Sequence, residues 1–353
     1  MKSLSWAASL YALAICVSSP FAIAQSDPAL PKSQEAWRSA AIADLDAARD
    51  LLEKQTPIPF DRRDPAYSIW LKQGYEEATK AAASAHDHQS YFYPIARYVN
   101  GFRDPHIRLN SVATLPSATW PGFIVSARGN DAVVVVRDET DAQTPPVGAR
   151  IVSCDGLALP ELLERRIYPY VLNARLALDR RRAVSRLFLD RGIPGAPAPS
   201  ACRISIDGEE REIALRWRAL PEPAQGFAEA YNAAAIGAPA KFGVSQPAPD
   251  IFWIGVPTFN SGKDNAKALQ SLIDEVDARA ERMRKSHAIL IDLRGNAGGN
   301  SMWADRLSIA IFGERAVRKV QRGQQNHAIQ WRASAENIAY WRSWLVDVAV
   351  PQF

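Results

Sequence analysis

His287-Ala288-Ile289-Leu290-Ile291-Asp292-Leu293-Arg294-Gly295-Asn296-Ala297-Gly298-Gly299 is an apolar run that ends abruptly in a polar, glycine-rich turn. The length and β-branched content of Ala288 to Leu293 predict a strand covered on both faces. Asn300-Ser301 follows as a cap for an amphipathic helix starting near Met302. A turn of this kind beside a helix N-terminus gathers backbone N–H groups. Such amides can stabilise a developing negative charge, as an oxyanion hole requires. Gly298 and Gly299 also let another segment approach closely. A tight turn that serves only packing is the other reading of the same residues.

The turn reads Gly-Asn-Ala-Gly-Gly-Asn-Ser, which fits neither G-x-G-x-x-G nor G-x-x-x-x-G-K-[ST]. It does resemble the D-L-R-x-N-x-G-G signature of the tail-specific, or C-terminal processing, serine protease family. Asp292, Leu293, Arg294, Asn296, Gly298 and Gly299 carry the match. Upstream, Phe252-Trp253-Ile254-Gly255-Val256-Pro257-Thr258-Phe259 is similar to the strand that opens that family's catalytic core, and a helical stretch follows from Asn265 to about Lys285. The resemblance implies peptide-bond hydrolysis in exported proteins or peptides by acyl-enzyme chemistry, with no cofactor.

Around this stretch the chain has 353 residues, 47% hydrophobic and 23% charged, which suits a globular protein of two or three domains. Lys2, an apolar run from Trp6 to Val17 and the small residues ending Ala22-Ile23-Ala24 predict an export leader, residues 1–24, cleaved after Ala24. Periplasmic or secreted localisation follows. The apolar run is shorter than the roughly 20 residues of a spanning helix, so no stable membrane anchor is expected. A formal charge of +4, or about +3 without Lys2, argues for no nucleic-acid partner. Asp179-Arg180-Arg181-Arg182 reads as a solvated helix face. Cys154 and Cys202 form an even pair in an oxidising compartment, either bridged or as two buried thiols. The oligomeric state is not legible in the sequence.

The overall reading is a mixed α+β and α/β chain: a helical N-terminal region over 32–117, a β-rich module over 118–220 and a protease core over 228–353. In the first region, apolar stripes predict helices from Trp37 to Leu52 and from Ile69 to Ala83. Gly101 and Pro105 end the last helix and leave His106 on a loop. Asp104-Pro105-His106 resembles the D-G-H segment of the family's histidine-using branch, with Pro105 in place of glycine. The resemblance makes His106 the general base. In the second region, Trp120-Pro121-Gly122-Phe123-Ile124-Val125 resembles the carboxylate-binding loop of a PDZ module. That implies a peptide-binding role for Gly122 and Phe123, with the peptide added at a sheet edge. Pro146 to Gly156 resembles the same module's hairpin, and Ile213 to Trp217 is expected to return antiparallel to Cys202–Ile206 after an Asp207-Gly208 turn. A β-rich insert with no ligand is the plainer alternative.

Serine peptidase chemistry needs a hydroxyl, a base and donors aimed at the tetrahedral oxyanion. His106 supplies the base candidate, and Gly298 and Gly299 supply the oxyanion candidates. Asp292, Arg294 and Asn296 are expected to shape the turn, because charge at a buried strand end must be satisfied. No nucleophile is assigned: Ser301 reads as a helix cap, Ser308 lies in a helix, Ser334 opens a helical run through Trp344, and neither these nor Ser343 follows an apolar strand. The core is therefore expected to be C-terminally incomplete, with a truncated inactive form or a peptide-binding pseudoprotease as the alternative function. Metal chemistry is not expected. His86-Asp87-His88 lacks a third ligand at helical spacing and reads as an exposed polar turn.

Overall fold

The computed structural model describes residues 30–60, 65–110, 117–222, 224–323 and 331–349, so the expected leader lies outside the described residues. The chain is a mixed α+β protein. It divides into two compact units, which comprise, among the described residues, 30–235 with 331–349 and 236–323. No helix among the described residues is long and apolar enough to cross a membrane.

The first unit opens with helices α1 (Gln34–Gln55), α2 (Pro65–Ala82) and α3 (His88–Gly101). Ser33 caps α1 by accepting from the Ala36 amide at 3.1 Å, and Asp87 with Ser90 forms a capping box at the start of α3. Trp37, Leu45, Tyr98 and Phe102 are buried where the three helices meet. At the end of α3 the last turn tightens, with the Phe102 amide donating to Val99 rather than Tyr98. The Tyr98 carbonyl is taken instead by the Trp70 indole at 2.8 Å. Gly101 leaves the space that the Trp70 ring fills. Arg103, at φ 57°, then turns the chain into the Asp104–His106 loop. His88 departs from expectation: its imidazole is buried among Trp37, Tyr91 and Phe92, because as the first residue of α3 it faces α1.

The β-rich part follows with β1 (Thr119–Trp120), β2 (Phe123–Arg128), β3 (Asp131–Arg137), β4 (Arg150–Cys154), β5 (Leu157–Ala158), α4 (Leu159–Arg166), α5 (Ala177–Leu187), β6 (Ala201–Ile206), β7 (Glu209–Ala214), β8 (Arg218–Ala219) and α6 (Ala224–Ile236). An antiparallel sheet runs β2-β3-β4-β6-β7 with β5 on β4, while β1 pairs with β8. Phe123, Val125, Ile151, Leu187 and Ile204 form its core. Cys154 and Cys202 stand opposite each other in the β4–β6 ladder and are joined by a disulfide. The returning strand starts at Glu209, directly after the Asp207-Gly208 turn, and not at Ile213. As the sheet's edge it carries exposed Glu209, Glu210, Arg211 and Glu212, charges that discourage pairing with another chain.

The second unit holds β9 (Gly243–Ala248), β10 (Ile251–Gly255), α7 (Lys263–Lys285), β11 (Ala288–Asp292), α8 (Ser301–Phe312) and α9 (Glu314–Gly323). Central β10 pairs antiparallel with β9 and, after the α7 crossover, parallel with β11. Phe252 and Ile254 meet Leu269 and Val276 of α7 and Trp303 and Leu307 of α8 in one core. The expectation of a strand covered on both faces fails for β11. It lies at the edge of the three-stranded sheet, with Leu290 39% and Ile291 42% exposed, because only Ile289 reaches the core beneath β10. The last helix, α10 (Ala335–Ala349), belongs to the first unit: Ser334 caps it, and Asn337 donates to the Gln55 carbonyl at 2.8 Å.

Candidate active site

Parallel pairing of β11 with β10 brings Asp292 beside Gly255, so the chain leaves the sheet where the two strands end. The Val256 amide donates to the Asp292 carbonyl at 2.9 Å, and the Asn296 side chain donates to the Val256 carbonyl at 3.0 Å. One segment thus folds against the other. The Phe259 amide donates to the Gly298 carbonyl at 3.0 Å, and the Asn300 amide donates to the Phe259 carbonyl at 2.9 Å. Gly299, at φ 138°, lies directly against the Phe259 backbone, where a Cβ would collide with the main chain. Only glycine fits there.

The two glycine amides differ. The Gly298 N–H donates to Asn296 Oδ1 at 2.8 Å, which closes the turn on itself. The Gly299 N–H meets no acceptor within its unit among the described residues, and Gly299 is exposed. Asn300, and not Ser301, caps α8: its side chain accepts from the Met302 amide at 2.9 Å, and Ser301 is the first helical residue. The free Gly299 amide therefore stands immediately before a helix N-terminus, where the helix dipole favours negative charge.

Asp292 and Arg294 support the turn from inside. The Asp292 carboxylate is buried and accepts from Arg294 Nη2 at 2.7 Å, from Arg294 Nε at 2.9 Å and from the Arg294 amide at 3.0 Å. Those Arg294 hydrogen bonds hold the carboxyl well below the usual range, at about 2. The Trp253 indole adds a donor at 3.3 Å. Trp253 is a participant that the sequence pattern did not reveal, because it sits in the middle of β10 and reads as ordinary strand.

His106 lies in the other unit, exposed on the turn after α3. Its Nδ1 is 3.0 Å from Asp104 Oδ1, and the same oxygen accepts from the His106 amide at 2.8 Å. Asp104 thereby fixes both the ring and the loop. The His106 Nε2 has no hydrogen-bond partner within the unit among the described residues. Gly122, at φ 90°, has the Arg218 guanidinium packed against it. Phe123 is buried against Phe188. Although β2 ends the sheet, residues 123–127 are buried. Ser185 of α5 donates to the Val125 carbonyl at 2.6 Å, and Ser126 donates to the Ala234 carbonyl of α6 at 2.6 Å. The edge is thus covered by two helices. Among the described residues no cluster of three or more metal-ligating side chains occurs.

Of the serines without an assigned role, Ser334 is engaged as the α10 cap and with Gln55, while Ser343 donates to the Tyr340 carbonyl. Neither stands at a strand end.

No protein-family model matches the chain, and no curated protein matches it in sequence. Solved structures do match in fold. Mature CPAF, a chlamydial serine protease, in complex with lactacystin superimposes with a TM-score of 0.53 at 17% identity, over 77% of this chain and 59% of that one. Mature CPAF alone gives 0.51 at 17% identity, over 74% and 56%, and a serine-to-alanine variant gives 0.50 at 18%, over 76% and 58%. This chain thus spans less than two thirds of the length of the structures it resembles. The conclusion is one of architecture: the chain has a protease-like fold.

Proposed function

We propose that this chain carries part of a serine-type peptidase site of the tail-specific class, acting on peptide bonds of exported proteins or peptides. The observation that carries the reading is the Gly299 amide, left without an acceptor in its unit among the described residues on a turn held by hydrogen bonds of Phe259, Asn296 and Asn300. A preorganised, unspent donor beside a helix N-terminus is what a tetrahedral oxyanion needs. Gly298 shapes that donor through Asn296. His106, oriented by Asp104, is the base that the family resemblance implies, with Nε2 as the nitrogen open to a proton. Asp292, Arg294 and Asn296 position the turn and do not touch substrate. The protease-like fold agrees with this assignment.

The test is covalent labelling of purified protein by a fluorophosphonate together with hydrolysis of an unstructured protein such as casein. Labelling and turnover that His106→Ala removes support the peptidase. Peptide binding without labelling supports the alternative, a peptide-binding module without acyl transfer. In that alternative Gly122 and Phe123 receive the peptide terminus, a role that requires α5 or α6 to withdraw from β2.

A further inference from the structure

A cavity of about 550 Å³ lies inside the first unit, between α3 and the segment carrying α4 and α5. That is within the range of sites for small organic ligands, roughly 300–1,000 Å³. Phe92, Val171 and Leu189 give it an apolar wall, and Tyr93 and Tyr170 line it edge to face with ring centres 5.2 Å apart. Six arginines and two carboxylates, Asp104 and Asp179, make up its charged lining.

The arginines of this cavity are not equivalent. Arg166 is spent on Asp190 at 2.6 Å, and Arg182 stands 3.7 Å from Asp179. Arg103 donates to the Tyr168 and Leu172 carbonyls, with the Glu164 charge acting on it, and Arg108 donates to the Pro105 carbonyl. Arg186 is half-buried on the cavity wall, and its guanidinium makes no hydrogen bond or ion pair with any described residue. Burial pushes the Tyr93 hydroxyl on the same lining above the usual tyrosine range, and the Arg186 charge opposes the rise. The Arg186 nitrogens keep contact with solvent, so an anion entering the cavity meets an unpaired guanidinium.

We propose that this cavity binds an amphipathic monocarboxylate, with Arg186 pairing the carboxylate and the Phe92, Val171 and Leu189 wall holding the apolar body. One unpartnered planar fork matches one carboxylate in a bidentate pair. Arg103 and Arg108 add attraction at longer range. The proposal is independent of the peptidase reading. A free aliphatic acid and the C-terminal residue of a peptide present the same chemistry, and the probes separate them.

The experiment titrates the purified chain calorimetrically with octanoate and with octanol, then repeats both with Arg186→Gln. Octanoate is expected to bind at least about tenfold more tightly than octanol, to lose about tenfold or more in Arg186→Gln, and to weaken as salt rises. Arg186→Gln should keep the parent melting temperature, since Arg186 holds no described residue in place. Should that variant unfold, Arg186→Lys, which keeps charge but not the fork, is expected to give an intermediate affinity. Competition between octanoate and a short peptide ending in leucine admits the peptide terminus as a source when the free acid competes and the amide does not. Absence of competition assigns the cavity to free acids. Equal affinity for acid and alcohol, unchanged octanoate affinity in Arg186→Gln, or no octanoate binding at millimolar concentration overturns the proposal.

Discussion

Arg294 folds back on Asp292, two residues earlier, and grips its carboxylate with Nη2 2.7 Å from Oδ2 and Nε 2.9 Å from Oδ1. The pair is half in solvent: the Arg294 side chain is 49% exposed and the Asp292 side chain 5%. The arginine brings its charge to a buried strand end without being buried itself. Its hydrogen bonds to one oxygen pair set the direction in which the chain leaves β11.

The pH dependence of stability follows from that grip. Arg294 hydrogen bonds lower the folded-state Asp292 carboxyl to about 2 from an ordinary value of 3.8. The folded value lies below the unfolded one, so the stabilisation is complete above the unfolded value and is lost as pH falls through about 2. Urea midpoints measured between about pH 2 and pH 5 should fall toward the acid end, and Asp292→Asn should flatten part of that fall.

Gly299 and Gly298 should respond differently to alanine. Gly299→Ala drives a Cβ into the Phe259 backbone at a φ that side chains rarely adopt, and a loss of about 3 kcal/mol is expected. Gly298→Ala, at φ 99° with open space beside it, carries only the backbone penalty, about 1 kcal/mol. Chemical denaturation of the two variants should show the larger shift for Gly299→Ala, and equal shifts would remove the close approach from the explanation.

The disulfide should be worth several kcal/mol to the first unit. Cys154 and Cys202 are 48 residues apart, and closing a loop of that length lowers unfolded-chain entropy by about 4 kcal/mol. Cys154→Ala with Cys202→Ala should therefore lower the melting temperature of the unit holding β4 and β6, as should reductant. Calorimetry resolves whether the second unit, which lacks the bridge, keeps its own transition.

No described serine stands as a nucleophile, so little turnover is expected, and any that is measured should fall by about 10²–10⁴ in kcat in His106→Ala, the usual share of general base catalysis. Asp104 acts through His106 and not on substrate. Asp104→Asn should lower kcat with KM little changed and shift the pH profile of kcat/KM, because the carboxylate that orients Nδ1 becomes neutral. A purely structural role for Asp104 would instead lower stability and leave the profile in place.

The buried Arg166–Asp190 pair offers a check on the first unit's core. Arg166 is 5% and Asp190 18% exposed at their side chains, and Arg166 also donates to the Ala196 carbonyl at 3.0 Å. Asp190→Ala leaves that charge buried without its partner, so a loss of about 3–5 kcal/mol is expected from the denaturation midpoint.

Much of this was written in local pattern. The apolar stripes of Trp37–Leu52 and Asn265–Lys285 mark helices, and the Asp207-Gly208 step marks a hairpin, because side-chain period and turn chemistry act over a few residues. The Asp292, Arg294 and Asn296 turn is local in the same sense. What pattern could not supply depended on neighbours distant along the chain. Ile289, Leu290 and Ile291 read alike, yet only Ile289 reaches the core, since exposure is decided by which strand and helix lie alongside. His88 looked like part of a polar turn until α1 packed over it. Gly298 and Gly299 are indistinguishable in sequence, but Asn296 spends one amide and leaves the other free. Sequence by itself determined the elements and the residue types at the turn; tertiary packing decided burial, edge positions and which backbone donor remained, because those quantities arise from contacts between segments that composition and periodicity do not encode.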